Sequence, residues 1–133
     1  MKVFIDTNVL VSASRDRAGT PRLALEKAMV PPSQAFVCDQ NLEELRHVYY
    51  RKFPDELDAL RDFLAESLPY LEVVQTPSDH LDEEAKIRDI KDRPILRAAI
   101  MAGADIILTG DKDFLESGIE RPLIVTPAEF VRG

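Results

Sequence analysis

The sequence predicts an α/β fold built on a mostly parallel β-sheet. Five short apolar runs, several of them rich in β-branched residues, have the composition of buried strands. Longer segments with helical periodicity separate these runs, and strands that alternate with helices are typical of parallel sheets. The predicted strands are residues 2–6, 35–38, 71–74, 106–108 and 123–125. The first run leads directly into Asp6, where a charge is costly without a partner.

Capping residues, prolines and a glycine bound the predicted helices. Thr20 is placed to cap the helix that Pro21 opens, and Leu23, Ala24 and Ala28 would form its buried face. Two later helices end before prolines, and another ends at a glycine. The predicted helices are residues 21–29, 39–52, 55–68, 82–87, 93–102, 112–116 and 127–131, with a loop at 16–20. We predict neither a helix nor a strand for residues 7–15.

Composition limits the class of protein. A chain of 133 residues that is 45% hydrophobic predicts a single domain over residues 1–133. The net charge of −7 argues against a broad basic surface for nucleic acid, but not against carboxylates that surround a cation. One cysteine, Cys38, excludes an intrachain disulfide. With no signal peptide and no membrane-length apolar segment, we expect a cytoplasmic protein without a membrane partner.

Acidic residues follow the strands at positions that predict a ligand site. Asp6 follows the first strand and Asp111 follows the fourth, so both belong at the edge of the sheet where α/β proteins bind ligands. Asp92 begins the helix that leads back to the fourth strand. Glu44 lies in the first turns after the second strand, on the flank of an apolar stripe, whereas Glu43 points toward solvent.

Clustered carboxylates predict a hard divalent cation. Such groups repel one another unless a proton or a cation intervenes, and Mg²⁺ and Mn²⁺ prefer oxygen ligands. Ions of this kind activate water and stabilise the leaving oxygen in phosphodiester cleavage. Thr7, Asn8 and Thr109 stand beside the acids and would orient a carboxylate or a water. Asp113 fits a turn or a supporting position better than direct metal ligation.

Each acid also has an ordinary structural explanation. Asp92 and Asp111 would serve as helix caps or turn residues, and Glu44 as a solvated helical glutamate. Asp6 is the hardest to explain in this way, because it ends a buried strand. The joint case is stronger than its parts, since independent caps need not converge on one sheet edge.

The remaining reactive or charged residues predict little chemistry. His47, His80 and Cys38 lack metal-ligand spacing, so the histidines fit the surface and the cysteine fits the core. The charged segment 79–91 predicts a solvated helix face. At the end of the helix over 39–52, Tyr50, Arg51 and Lys52 are free to contact a nucleic acid strand.

Four segments resemble the PIN domain family in order along the chain, and more narrowly its VapC-like toxin branch. They are residues 3–10 (VFIDTNVL), 42–45 (LEEL), 92–96 (DRPIL) and 107–114 (ILTGDKDF). The opening Asp-Thr-Asn and the later Thr-Gly-Asp-Lys-Asp are the specific motifs. The resemblance implies a three-layer α/β/α fold, with a parallel sheet of about five strands in the order 3-2-1-4-5.

The same resemblance implies a Mg²⁺- or Mn²⁺-dependent endoribonuclease. Carried over position by position, Asp6, Glu44, Asp92 and Asp111 are the catalytic and metal-binding quartet, with Asp113 as an uncertain addition. Asp89 competes for the role of Asp92, which we prefer because Ile95 and Leu96 follow it at the family's distance. VapC-like relatives dimerise and are silenced by a small antitoxin protein, so an RNA substrate, an antitoxin and a second copy of the chain are the implied partners.

Our hypothesis is therefore a metal-dependent ribonuclease. Asp6 and Asp111 would hold the first ion, Glu44 and Asp92 would complete the site, and Lys112, Arg93 or Arg15 would meet the substrate phosphate. A phosphatase with a strand-end aspartate nucleophile would need a second acid two residues after Asp6, where Asn8 stands. A catalytically silent PIN-like module that docks a protein or RNA is the alternative from another class.

Overall fold

The computed structural model describes all 133 residues and contains one five-stranded sheet. The strands are β1 (Lys2–Ile5), β2 (Gln34–Cys38), β3 (Leu71–Val74), β4 (Ile106–Leu108) and β5 (Leu123–Val125). Every neighbouring pair of strands is parallel, and the strand order is β3-β2-β1-β4-β5. The predicted fold class and strand order are confirmed.

Helices cover both faces of the sheet. Along β1, Val3 and Ile5 face one hydrophobic core and Phe4 faces the other, as the two-residue period of a strand requires. The helices are α1 (Thr7–Arg15), α2 (Thr20–Ala28), α3 (Asp39–Lys52), α4 (Leu57–Ser67), α5 (Arg93–Met101), α6 (Lys112–Leu115) and α7 (Pro127–Arg132). Helices α1–α4 and α7 contribute to the first core, and α5 and α6 contribute to the second.

Helix α1 is the α-helix that the sequence prediction missed, and the 3-10 helix Ile90–Asp92 was not predicted either. The first strand ends at Ile5, and Asp6 is the N-cap of α1, where its Oδ1 accepts the Thr7 backbone N–H at 2.8 Å. Val9 is β-branched and disfavours a helix by itself, but its burial outweighs this weak propensity. A single residue, Asp6, therefore separates the strand from the helix and is fixed at their junction.

Helix α2 is rotated relative to its predicted face. It begins at Thr20, with Gly19 and not Thr20 as the N-cap, and Leu25 replaces Leu23 in the buried stripe. Leu23 is 51% exposed. Helix propensity does not tell which of two nearby apolar residues is buried. The rotation of a helix about its axis is set by the surface against which it packs.

Two predicted helices differ from the prediction in helix type: 3-10 turns flank one of them, and the other is 3-10 helix throughout. Proline-containing 3-10 turns at Pro54–Glu56 and Leu68–Tyr70 flank α4, where one continuous helix over 55–68 was predicted. The predicted helix over 82–87 is a 3-10 helix at Asp82–Lys86. These differences concern boundaries and helix type, and they leave the order of the elements unchanged.

The sequence predicted that the charged segment between β3 and α5 is a solvated helix face. In the structure this segment is instead fastened to α5. Arg97 of α5 donates to both carboxylate oxygens of Glu84, at 2.8 and 3.0 Å, and to the Pro77 carbonyl at 2.7 Å. The two paired side chains are only 8% and 6% exposed. The hydrogen bond from Arg97 lowers the pKa of Glu84 to about 2. This ion pair anchors the segment that leads into Asp92.

Replacing Arg97 with methionine should lower the free energy of unfolding by about 3 kcal/mol, because it leaves the buried Glu84 carboxylate unpaired. We place the cost at the lower end of the range for buried pairs, since both side chains keep a small exposed fraction. Urea denaturation measures it. Arg88→Met is the matched control, because Arg88 is 65% exposed in its ion pairs and its loss should cost less than about 1 kcal/mol. Equal costs for both variants would contradict the anchoring role.

Candidate active site

The centre of the site lies where β1 and β4 end side by side. Ile5 and Leu108 are register partners, and the Asp6 backbone N–H donates to the Leu108 carbonyl at 3.0 Å. The next residue on the β4 side is Thr109, whose Oγ1 donates to Asp6 Oδ2 at 2.7 Å. Asp6 is 4% exposed, so both of its oxygens are held by hydrogen bonds in a nearly buried position.

Glu44 reaches the same edge from α3 and is fixed by a chain of polar contacts. Its Oε2 accepts from Thr7 Oγ1 at 2.8 Å, and its Oε1 accepts from Gln40 Nε2 at 3.1 Å. The fully buried Asn41 donates to Thr7 Oγ1 at 3.0 Å and thereby orients the threonine hydroxyl. Glu43 is exposed. The structure therefore places the two glutamates as helical geometry predicted.

Asp111 and Asp92 complete the ring of carboxylates. Asp111 caps α6, where its Oδ1 accepts the Asp113 backbone N–H at 2.9 Å, and its own N–H donates to Thr109 Oγ1 at 3.0 Å. Asp92 precedes α5, but its side chain makes no capping hydrogen bond. The alternative that these two acids serve only as helix caps therefore holds in part for Asp111 and fails for Asp92.

One cleft of about 320 Å³ brings all four acids together. Thr7 and Asn8 also line it, whereas Thr109 lies buried beneath it as a hydrogen-bond partner of Asp6. Lys52, at the end of α3, is the only cation in its lining. The site thus holds an excess of negative charge.

Burial and mutual repulsion raise the pKa of two of the acids. Burial raises the pKa of Asp6 to about 6, although hydrogen bonds from Thr109 and Thr7 act in the opposite direction. Burial also raises the pKa of Asp92 to about 8, and the negative charges of Asp6 and Asp111 add to this effect. The cleft is therefore short of positive charge near neutral pH, and either a proton or a cation relieves the shortage.

A second group of carboxylates adjoins the first through Asp92. Oxygens of Asp89, Asp92 and Asp113 lie within 4.8 Å of one another. Asp113, however, pairs with Arg88 at 3.0 Å, and neither Asp89 nor Asp113 lines the cleft. Asp89 is exposed and caps the backbone N–H of Lys91. Of the two competitors, only Asp92 faces Asp6 and Asp111.

The donor set of the cleft fits a hard divalent cation. Its charged ligands are carboxylate oxygens, with no thiolate or imidazole among them, and Mg²⁺ and Mn²⁺ favour such sites. The raised pKa values of Asp6 and Asp92 show that these groups are destabilised as anions when no cation is nearby.

The family model described as the PIN domain matches residues 2–113, a range that includes all four acids of the cleft. The chain belongs to the PIN domain family. The fold is also similar to that of a chain in the crystal structure of VapBC2 from Rickettsia felis bound to a DNA fragment from their promoter. The TM-score is 0.69 at 18% identity, with 95% of this chain and 98% of that chain covered, so the similarity shows the fold. A search of curated proteins found no match.

The predicted phosphate-binding cations occupy unequal positions in this PIN domain. Arg15 is held by Glu56 at 3.0 Å and stacks on the Phe53 ring, and the Arg93 Nε donates to the Ile87 carbonyl. Lys112 is exposed and makes no ion pair. The cation in the cleft is instead Lys52, which the sequence marked only as free to contact nucleic acid.

Asn41 and Gln40 were missed by sequence reasoning. Both lie in the first turn of α3, and both hold Glu44 directly or through Thr7. Asn41 Oδ1 also accepts the Cys38 N–H at 2.8 Å, so one amide side chain closes the start of the helix and supports the site. An asparagine at the third position of a helix that follows a buried strand was the available signal.

No helix of this PIN domain has the length and apolar character needed to cross a bilayer.

Proposed function

We propose that this PIN domain is an endoribonuclease that depends on Mg²⁺ or Mn²⁺. The observation that carries the proposal is the convergence of Asp6, Glu44, Asp92 and Asp111 in one cleft, from four separate elements of the chain. Membership of a nuclease family supports it. So does the charge balance of the cleft, which is satisfied by a cation.

In this mechanism Asp6 and Asp111 would hold the first ion, and Glu44 and Asp92 would complete the site. An ion held there would supply positive charge against the charge that develops on the phosphate and on the leaving oxygen. Glu44, held by Thr7 and Gln40, orients the attacking water and accepts its proton. The water oxygen forms a bond to phosphorus, the bond from phosphorus to the leaving oxygen breaks, and solvent returns a proton to that oxygen.

We further propose that the chain acts in the cytoplasm as one domain over residues 1–133, as the toxin of a toxin–antitoxin pair. Its fold similarity to a chain of VapBC2 supports a small antitoxin protein as a partner, and a homodimer belongs to the same proposal. Expression of the wild-type chain should then arrest bacterial growth. Light scattering on the purified protein tests the dimer, and a monomer at micromolar concentration would contradict it.

The decisive assay is cleavage of labelled single-stranded and structured RNA with Mg²⁺, with Mn²⁺ and with EDTA. We expect cleavage only with metal, and Glu44→Gln should lower kcat/KM by about 100-fold or more, because the amide cannot accept a proton from water. Glu120→Gln is the matched control: it removes the same charge from an exposed glutamate that lines neither concavity beside α3, and it should cleave like the wild type.

One outcome would contradict the role of Glu44 and another would contradict the nuclease itself. Equal loss of cleavage in both glutamine variants would mean that Glu44 acts only through general charge. If the wild type binds Mn²⁺ in calorimetry but cleaves none of the RNAs, the alternative of a silent docking module replaces the enzyme.

A further inference from the structure

We propose that the RNA strand runs from the carboxylate cleft across the C-terminal half of α3, where Lys52 and Arg51 hold its phosphates. This inference rests on the proposed function and deepens it, because it assigns substrate-positioning residues outside the acidic quartet. The proposal rests on a second concavity that continues the cleft along α3. Arg51 and Lys91, which have no ion-pair partners, line it together with Glu43 and Glu44.

The two concavities form one groove. The second, of about 450 Å³, shares Thr7, Glu44 and Val48 with the cleft of about 320 Å³. Residues four apart on a helix lie on the same face, so Val48 is followed by Lys52 on the side of the cleft. In the same way, His47 is followed by Arg51 on the side of the second concavity. Glu44, one turn earlier, lines both.

Cations in this groove are free to contact a ligand. Arg51, Lys52 and Lys91 are exposed and form no ion pair, although the chain has an excess of acidic residues. Most arginines elsewhere are already engaged by carboxylates: Arg15, Arg17, Arg22, Arg61, Arg88 and Arg97. The Lys91 segment is tied to the groove, because Gln40 Nε2 donates to the Lys91 carbonyl at 3.3 Å as well as to Glu44. A phosphate therefore meets these groups without first breaking a salt bridge.

The charge balance changes along the groove in a way that suits an extended polyanion. The cleft accepts a phosphate only together with a metal ion, because its own lining is acidic, whereas in the adjoining stretch Arg51 and Lys91 offset the two glutamates and are exposed to a ligand. A strand with a phosphate at every nucleotide satisfies both parts at once. Tyr50 points elsewhere, since it lines an apolar groove between α3 and α4, so α3 offers phosphate contacts and no aromatic base platform here. Such contacts position the strand and carry no sequence information.

The experiment measures RNA binding and cleavage by the double variant Arg51→Ala/Lys52→Ala. In the full chain with Asp6→Asn, which prevents cleavage, fluorescence anisotropy with a labelled single-stranded RNA would be followed from 50 to 300 mM KCl in Mg²⁺. Two lost phosphate contacts should reduce the slope of log K against log[salt] by about 1.4. The affinity at 50 mM KCl should fall by roughly tenfold, and by a similar factor for RNAs of different sequence.

The matched control is Arg121→Ala/Arg132→Ala, which removes the same charge from exposed positions outside the groove. It should change the salt slope little. In the chain with an intact Asp6, the Arg51/Lys52 variant should raise KM and leave kcat nearly unchanged, because the cations bind substrate and transition state alike. Both double variants should melt like the wild type, since all four side chains are exposed.

Three results would overturn the groove assignment: equal salt slopes in the two double variants, no RNA binding by the Asp6→Asn chain at 50 mM KCl, or a lower kcat with an unchanged KM. Failure of the nuclease proposal is a different result. In that case the wild type cleaves nothing, while the Arg51/Lys52 variant still loses affinity for RNA.

Discussion

Asp6→Asn should lower metal-dependent RNA cleavage by about 1,000-fold or more and should abolish growth arrest on expression. Asp6 sits at the junction of β1 and α1, faces Glu44, Asp92 and Asp111 in the cleft, and is proposed as a ligand of the first ion. Loss of a metal ligand removes several kcal/mol of transition-state stabilisation, and each 1.4 kcal/mol is a factor of ten in rate. Initial cleavage rates with Mg²⁺ and with Mn²⁺ measure the effect.

The control for Asp6→Asn is Asp62→Asn, which removes an exposed carboxylate of α4 that makes no side-chain hydrogen bond or ion pair. It should cleave RNA like the wild type. Asp6→Asn should still fold, because the asparagine side chain keeps an oxygen to cap α1 and loses a charge that burial penalises. Intact cleavage in Asp6→Asn would remove the centre of the proposed mechanism.

The metal-free protein should lose stability as the pH rises from about 4 to about 8. The pKa values of Asp6 and Asp92 are about 6 and about 8 in the folded state, above the value of about 3.9 for an unfolded aspartate. The folded protein therefore binds more protons than the unfolded chain in this range, so the free energy of unfolding falls with rising pH. Glu84, whose pKa is lowered to about 2, has the opposite effect below about pH 4.5. Since two aspartates oppose one glutamate, maximum stability without metal is expected near pH 4.

Thermal melts in EDTA between pH 4 and pH 9 measure this dependence. Mn²⁺ should raise the melting temperature more at pH 8 than at pH 5.5, because metal ligands must be deprotonated. At a Mn²⁺ concentration of 100 times the dissociation constant, binding adds about 2.7 kcal/mol to the free energy of unfolding.

Asp92→Asn should melt at nearly the same temperature at pH 6.5 and pH 8, since it lacks the group that titrates there. Asp62→Asn should keep the wild-type slope between these pH values. A melting temperature of the metal-free wild type that rises from pH 6 to pH 8 would contradict the raised pKa values that burial and repulsion give these carboxylates.

Helix α1 and the segment before α5 show where sequence reasoning stopped. The apolar run around Asp6 has strand propensity on both sides, so the end of β1 and the start of α1 could not be separated without knowing that Val9 and Leu10 pack under α2 and α3. Glu84 and Arg97 lie 13 residues apart, and no local pattern marks them as a buried pair. Both features depend on contacts made after the chain is folded.

The sequence by itself determined the α/β class, the parallel sheet and the candidate acids, because these depend on local composition and on the residues that come directly after each strand. Its helical periodicity was enough to turn Glu44 inward and Glu43 outward. Only the tertiary structure decided that Asp92, and not Asp89, faces Asp6 and Asp111, and that Gln40 and Asn41 hold the site. The tertiary structure also placed Lys52 in the cleft and paired Arg15 with Glu56. The physical reason is that burial, electrostatic repulsion and hydrogen bonding between distant segments arise only when the elements pack, whereas strand and helix patterns are written in neighbouring residues.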